Sequence, residues 1–153
     1  AVERRAFRRK GKVRRCAGRG RLEMIDAASE QILTAFVTAA ILKAPSTRVR
    51  TDGWGGYNGL GNAGYRHEPI TEGAPENGES LFPWVHRVIS NLKAWLHGTF
   101  RSVSKRYLPQ YLREFNYRFN RRRDEPSIFA RLLSRALTGP TITLQDLQSQ
   151  FRG

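Results

Sequence analysis

The stretch RVRTDGWGGY, residues 48–57, constrains this chain more than any other. Residues 47–51 are β-prone and end on Asp52, and Gly53, Gly55 and Gly56 follow at once. A strand that carries a carboxylate to its C-terminal end and then breaks into a glycine turn presents that carboxylate to a cleft. A second constraint lies further along, where residues 83–98 predict an amphipathic helix with Pro83 in its first turn and Gly98 at its C-cap. Val85, Val88, Ile89, Leu92 and Leu96 make the apolar stripe. His86, Ser90, Lys93 and His97 fall at i, i+4, i+7 and i+11, one polar line along the helix. His86 and Lys93 are thus two turns apart on one side, which is the ground for placing them in one site. Asn91 lies off that line.

The segments between supply a scaffold. Residues 21–25 alternate weakly and predict a strand, and Asp26 has the short acceptor of a helix N-cap. A helix is expected over residues 27–42, with Ala28, Ile32, Ala35, Phe36 and Ala39 as its buried stripe. Strand, helix and strand (21–25, 27–42, 47–51) then form a βαβ-like unit within one sheet. Residues 65–70 read as a short strand, and 71–80 as a polar, turn-rich surface loop. Residues 109–120 predict a helix that buries Leu112, Phe115 and Phe119 beside Tyr111. Ser127 is expected to cap a helix over 128–137, and Thr143 with Asp146 a final short one. Trp84 and Trp95 are expected in the core or an interface. Trp54 and Tyr57 either pack the glycine turn onto the sheet or stack on an unpaired base.

Charge names the class of partner. The chain of 153 residues suits one domain, and its 27 Lys+Arg against 13 Asp+Glu give a formal net charge of +14. An excess of that size points to a polyanion, with nucleic acid the usual one. Residues 1–20 are an arginine-dense arm or hairpin, and a second run closes the helix at Arg121, Arg122 and Arg123. Arg14, Arg15, Lys93 and the 121–123 run are the candidate phosphate contacts. No lipidation signal or long apolar run supports a membrane. The one cysteine, Cys16, excludes an internal disulfide and a cysteine-rich zinc site.

TDGWGGYNGL, WVHRVISNLKAWLHGTF and SKRYLPQYLREFNYRFNRRR, in this order, resemble the C-terminal part of a bacterial insertion-sequence transposase of the DDE superfamily, ISXO type. The resemblance runs over about residues 20–123. It implies an α/β, ribonuclease-H-like catalytic domain at 21–123, with a mixed sheet and flanking helices, followed by a helical C-terminal extension at 124–153. It also implies DNA transposition by metal-dependent phosphodiester cleavage and strand transfer. Asp52 matches the second catalytic carboxylate. His86 falls at the third catalytic position, where Glu is usual and His or Asn also occurs, and Lys93 matches the lysine that completes the set and holds DNA phosphate. Asp52 and His86 are the implied metal ligands, for two Mg²⁺ or Mn²⁺ ions. Asp26 is set aside as a further carboxylate because it serves a helix start.

In this fold the first strand carries the first aspartate and lies centrally. The chain opens on Ala1 in mid-pattern, so a fragment lacking that strand and aspartate is expected, inactive alone, with its sheet reduced or completed by another chain. The implied partners are transposon-end and target DNA and further copies of the chain, in a bacterial cytoplasm. The other reading is a non-catalytic basic protein that binds nucleic acid, either a decayed transposase remnant or an RNA-binding protein of ribosomal type.

Overall fold

The computed structural model describes residues 1–9, 12–70, 81–100, 102–141 and 143–149. The chain forms a mixed α/β arrangement of small sheets with flanking helices. Strands β1 (Val2–Arg9) and β2 (Lys12–Gly20) pair antiparallel, with an irregularity between Val2 and Arg4. Helix α1 (Glu30–Ala40) leads to β3 (Arg48–Thr51), a 3₁₀ turn (Gly55–Tyr57), the short α2 (Gly59–Asn62) and β4 (Arg66–Pro69). Strands β3 and β4 pair in parallel, Arg48 opposite Arg66 and Arg50 opposite Glu68. Four helices follow: α3 (Pro83–Thr99), α4 (Leu108–Arg121), α5 (Glu125–Thr138) and α6 (Leu144–Ser149). Among the described residues the strands lie in two separate pairs, not in one mixed sheet. The loop expected at 71–80 lies outside the described residues.

Two apolar clusters hold these layers. Ala17, Val88, Phe115 and Phe119 form the first, with Val2, Leu22, Trp84, Leu92 and Trp95 packed against it, so α3 and α4 cover the hairpin. Val37, Val49, Leu60 and Tyr65 form the second, joined by Phe36, Ile41, Tyr57 and Ala63, so α1 packs against β3 and against Tyr65 at the entry to β4. Helix α4 behaves as its spacing predicts: Leu112, Phe115 and Phe119 are buried, and Tyr111 meets Phe100 at 4.5 Å between ring centroids.

Several expected details are corrected. No strand forms at 21–25, and hence no βαβ unit with 47–51. Side-chain amides take the backbone groups that a ladder would use. Leu22 N–H donates to Asn116 Oδ1 at 2.9 Å, and Asn116 Nδ2 donates to Leu22 O at 2.7 Å. Asn120, one turn on, makes the same pair with Gly20, at 2.7 and 2.8 Å. Helix α1 begins later than expected because Ser29, not Asp26, is its N-cap. Its buried residues are Leu33 and Val37, while Ala28, Ala35 and Ala39 face solvent. Helix α3 turns Trp84, Val88, Leu92 and Trp95 inward and leaves Ile89 exposed, and its C-cap is Phe100, one turn's fraction beyond Gly98. Ser127 lies inside α5 and donates to Asp124 O, so it is no cap. The Thr143–Asp146 arrangement does form: Thr143 N–H donates to Asp146 Oδ2 at 2.8 Å and Asp146 N–H to Thr143 Oγ1 at 3.3 Å.

Candidate functional site

Strand β3 buries Val49 and Thr51 and exposes Arg48 and Arg50, the alternation of a sheet with one covered face. Thr51 Oγ1 meets His67 Nε2 at 2.9 Å on the covered side. Asp52 follows directly and is exposed. Gly53 then takes φ 76°, a left-handed conformation that glycine enters without Cβ strain. The chain doubles back, and Trp54 N–H donates to Asp52 Oδ1 at 3.3 Å. One carboxylate oxygen is therefore engaged in holding the turn. The indole of Trp54 donates to Ala28 O at 3.3 Å, yet the residue stays 58% exposed. A side chain at Gly56 would collide with that indole and with Ala28 O, so glycine is needed for this close approach. Burial, with the charge of Asp52 second, raises the pKa of the Tyr57 phenol.

His86, Ser90, Lys93 and His97 are all exposed along α3, opposite the face that buries Val88 to 1%. Seven residues at about 1.5 Å rise separate His86 from Lys93 by roughly 10 Å along the axis. The structure thus brings these two onto one face. Asp52 stands on the layer built around Val49 and Leu60, whereas α3 belongs to the cluster around Val88 and Phe115. Among the described residues there is no group of three or more His, Cys, Asp or Glu side chains able to hold a metal ion.

The basic candidates differ in what occupies them. Arg15 is exposed on β2, opposite Ala6, and the side chain of Arg14 lies outside the described residues. Arg121 places its guanidinium 3.8 Å over the Tyr117 ring. Arg122 donates to Ala17 O at 2.6 Å and to Gly18 O at 3.3 Å, tying the end of α4 to β2. Its pKa is lowered, by burial first and then by the charge of Arg123. Arg123 Nη2 donates to Cys16 Sγ at 2.8 Å. Composition missed three features: the Asn116–Asn120 clamp, the exposed cluster of Arg48, Arg50, Arg66 and Glu68, and Arg21. The last donates to Ala39 O at 2.7 Å with its guanidinium 5.8 Å from the Phe36 ring, and so joins the two layers. The alternation of β3 was the available signal for Arg48 and Arg50.

Strand β3 thus ends in an exposed carboxylate, and α3, on the other layer, carries the histidine–lysine line. Residues 1–120 match the ISXO2-like transposase domain, and the chain belongs to that family of insertion-sequence transposases. No curated protein and no solved structure gives a significant match. Membership in this family implies DNA binding. Among the described residues, no helix is long and apolar enough to cross a membrane.

Proposed function

We propose that the chain serves DNA transposition as part of a ribonuclease-H-like DDE catalytic domain, and that it handles DNA through Asp52, His86 and Lys93. The observation that carries this reading is the strand-end carboxylate of Asp52, set by the Gly53 turn within a chain matched over residues 1–120. In this reading Asp52 presents its unshared carboxylate edge to a cleft, His86 stands at the third catalytic position, and Lys93 places an ammonium on a phosphate. Arg14, Arg15 and the 121–123 run would add sequence-independent phosphate contacts, the Arg121 and Arg123 side chains by reorienting. The domain limits proposed are a basic arm or hairpin over 1–20, of which the hairpin form fits the β1–β2 pair, the catalytic part over 21–123 and a helical extension over 124–153. Further copies of the chain would assemble on the DNA.

Two-ion chemistry of the DDE class requires several carboxylate or imidazole donors around the ions. The described residues do not fit that requirement, because Asp52 and His86 supply one carboxylate and one imidazole from different layers. This favours a second reading for the chain by itself, that of a basic nucleic-acid-binding protein without cleavage. Incubation with Mn²⁺ and element-end DNA tests both. DNA binding without strand transfer is expected. Clean 3′-end cleavage abolished by Asp52→Ala would show the donor set to be complete and return Asp26, which caps no helix, to the candidate carboxylates. Grafting residues 48–99 into an active transposase of the same family separates the readings further. A folded graft that binds DNA yet cannot cleave would remove Asp52, His86 and Lys93 from catalysis.

A further inference from the structure

The uncovered face of β3 and β4 carries three guanidinium groups against one carboxylate. Arg50 Nε lies 3.0 Å from Glu68 Oε2, Arg48 Nη1 3.4 Å from Oε1, and Arg66 Nε 3.7 Å from the same oxygen. Arg48 and Arg66 are directly opposite in the ladder, an arrangement that opposes pairing because like charges face each other. Exposed ion pairs contribute only about 0–1 kcal/mol, so Glu68 gives this concentration of arginine little structural return. The cluster continues at its N-terminal end into a cleft of ≈ 260 Å³ lined by Lys43, Thr47 and Arg66, with Lys43 Nζ over the Tyr65 ring at 5.3 Å. At the other end the outward alternation of Arg48 and Arg50 arrives at Asp52. Alternate residues of a strand are about 6.6 Å apart, so Arg48 and Arg50 form a row of regularly spaced donors that ends at the candidate carboxylate.

We infer that the Arg48–Arg50–Arg66 face of the parallel strand pair binds a nucleic-acid phosphate backbone and lays it along β3 toward Asp52. Arginine suits the task because its planar fork pairs with phosphate oxygens in two parallel hydrogen bonds. Glu68 holds the three side chains in place when no nucleic acid is bound. One phosphate replaces the shared carboxylate at each guanidinium without moving the strand backbone. The inference rests on the nucleic-acid part of the proposed function and is independent of cleavage.

Fluorescence anisotropy with a short labelled DNA duplex, over a series of salt concentrations, tests it on the full chain. Each phosphate contact contributes about 0.9 to the slope of log K against log salt. The triple variant R48Q/R50Q/R66Q is expected to lower that slope by about 2–3. Over a fourfold rise in salt the unaltered chain then loses about 15- to 60-fold more affinity than the variant. The charge-preserving R48K/R50K/R66K chain is expected to keep most of the slope, which separates phosphate binding from a folding defect. An unchanged slope in the glutamine variant overturns this surface while leaving the nucleic-acid reading intact. Loss of slope in the lysine variant equal to that in the glutamine variant also overturns it, since charge would not be the cause. A chain that shows no salt-dependent binding at all refutes the nucleic-acid reading itself, and this surface with it.

Discussion

Replacing Asn116 by alanine removes a two-way hydrogen bond that stands in for a strand partner. Its amide accepts from Leu22 N–H and donates to Leu22 O, and both contacts are partly buried. A hydrogen bond contributes about 0.5–1.5 kcal/mol net, and a buried group left without a partner costs about 1–3 kcal/mol. Water reaches a partly buried backbone, so the low end applies to each of the two groups. Asn116→Ala should therefore cost about 2–3 kcal/mol, a large share of a stability that is typically about 5–15 kcal/mol. For a chain of this length that is a fall in Tm of roughly 5–10 °C. Asn120→Ala should cost a similar amount through Gly20.

Because the two amides hold the same short segment, the double variant should lose less than the sum, with a coupling of at least about 0.5 kcal/mol. Asn116→Asp sharpens the test. It keeps the acceptor for Leu22 N–H but sets a carboxylate against Leu22 O, which raises the pKa of the new group. Its stability should then be poorest at neutral pH and recover as pH falls and the carboxyl regains a proton to donate. Urea unfolding gives the energies, and hydrogen exchange at the Leu22 amide gives the location. Unaltered Leu22 exchange in Asn116→Ala, or a Tm within about 1 °C of the parent, would refute the clamp.

Two further outcomes follow from local geometry. The Arg50 hydrogen bond, against opposing desolvation and assisted by the charges of Arg48, Arg50 and Arg66, holds the Glu68 carboxyl below the ordinary glutamate value of 4.5. Glu68 thus contributes stability that is full above pH 4.5 and is lost as pH falls through its depressed value; Glu68→Gln should flatten that part of an acid-unfolding curve, and an identical curve would count against the cluster. Gly53→Ala forces a side chain into φ 76° and should destabilise by about 1–2 kcal/mol. Thermal unfolding without a measurable fall in Tm would mean that the turn does not need that conformation.

What the sequence made legible was local. β3 was visible because a β-prone run stops at Asp52 and glycine follows, and α3 because Pro83 opens a clear helical period. The polar line from His86 to His97 was readable for the same reason. Which stripe α3 buries was not, since two candidate stripes share Val88 and Leu92. The expected one extends through Ile89, and the observed one through Trp84 and Trp95. Large aromatic surfaces decided the rotation by packing on the hairpin and α4. Residues 21–25 misled for a different reason. Their partners are side-chain amides that lie 94 positions away in the case of Leu22, and no local pattern announces them.

The same division applies to the candidate site. The position of Asp52 is a local result, fixed by β3, Gly53 and the Trp54 amide. The exposure of His86 and Lys93 is also local, fixed by the face that α3 buries. How the two stand relative to each other depends on contacts between layers that have distinct apolar clusters. Arg21 supplies one such contact, a hydrogen bond to Ala39 O with a cation over Phe36. Such a contact contributes on the order of 1–2 kcal/mol, far less than either cluster contributes within its own layer. The mutual placement of Asp52 and His86 is therefore determined less strongly than either residue's own surroundings. A ligand changes such a placement only through contacts that differ between the alternatives. A phosphate backbone touching the Arg48–Arg50 row on one layer and Lys93 on the other would make contacts of that kind.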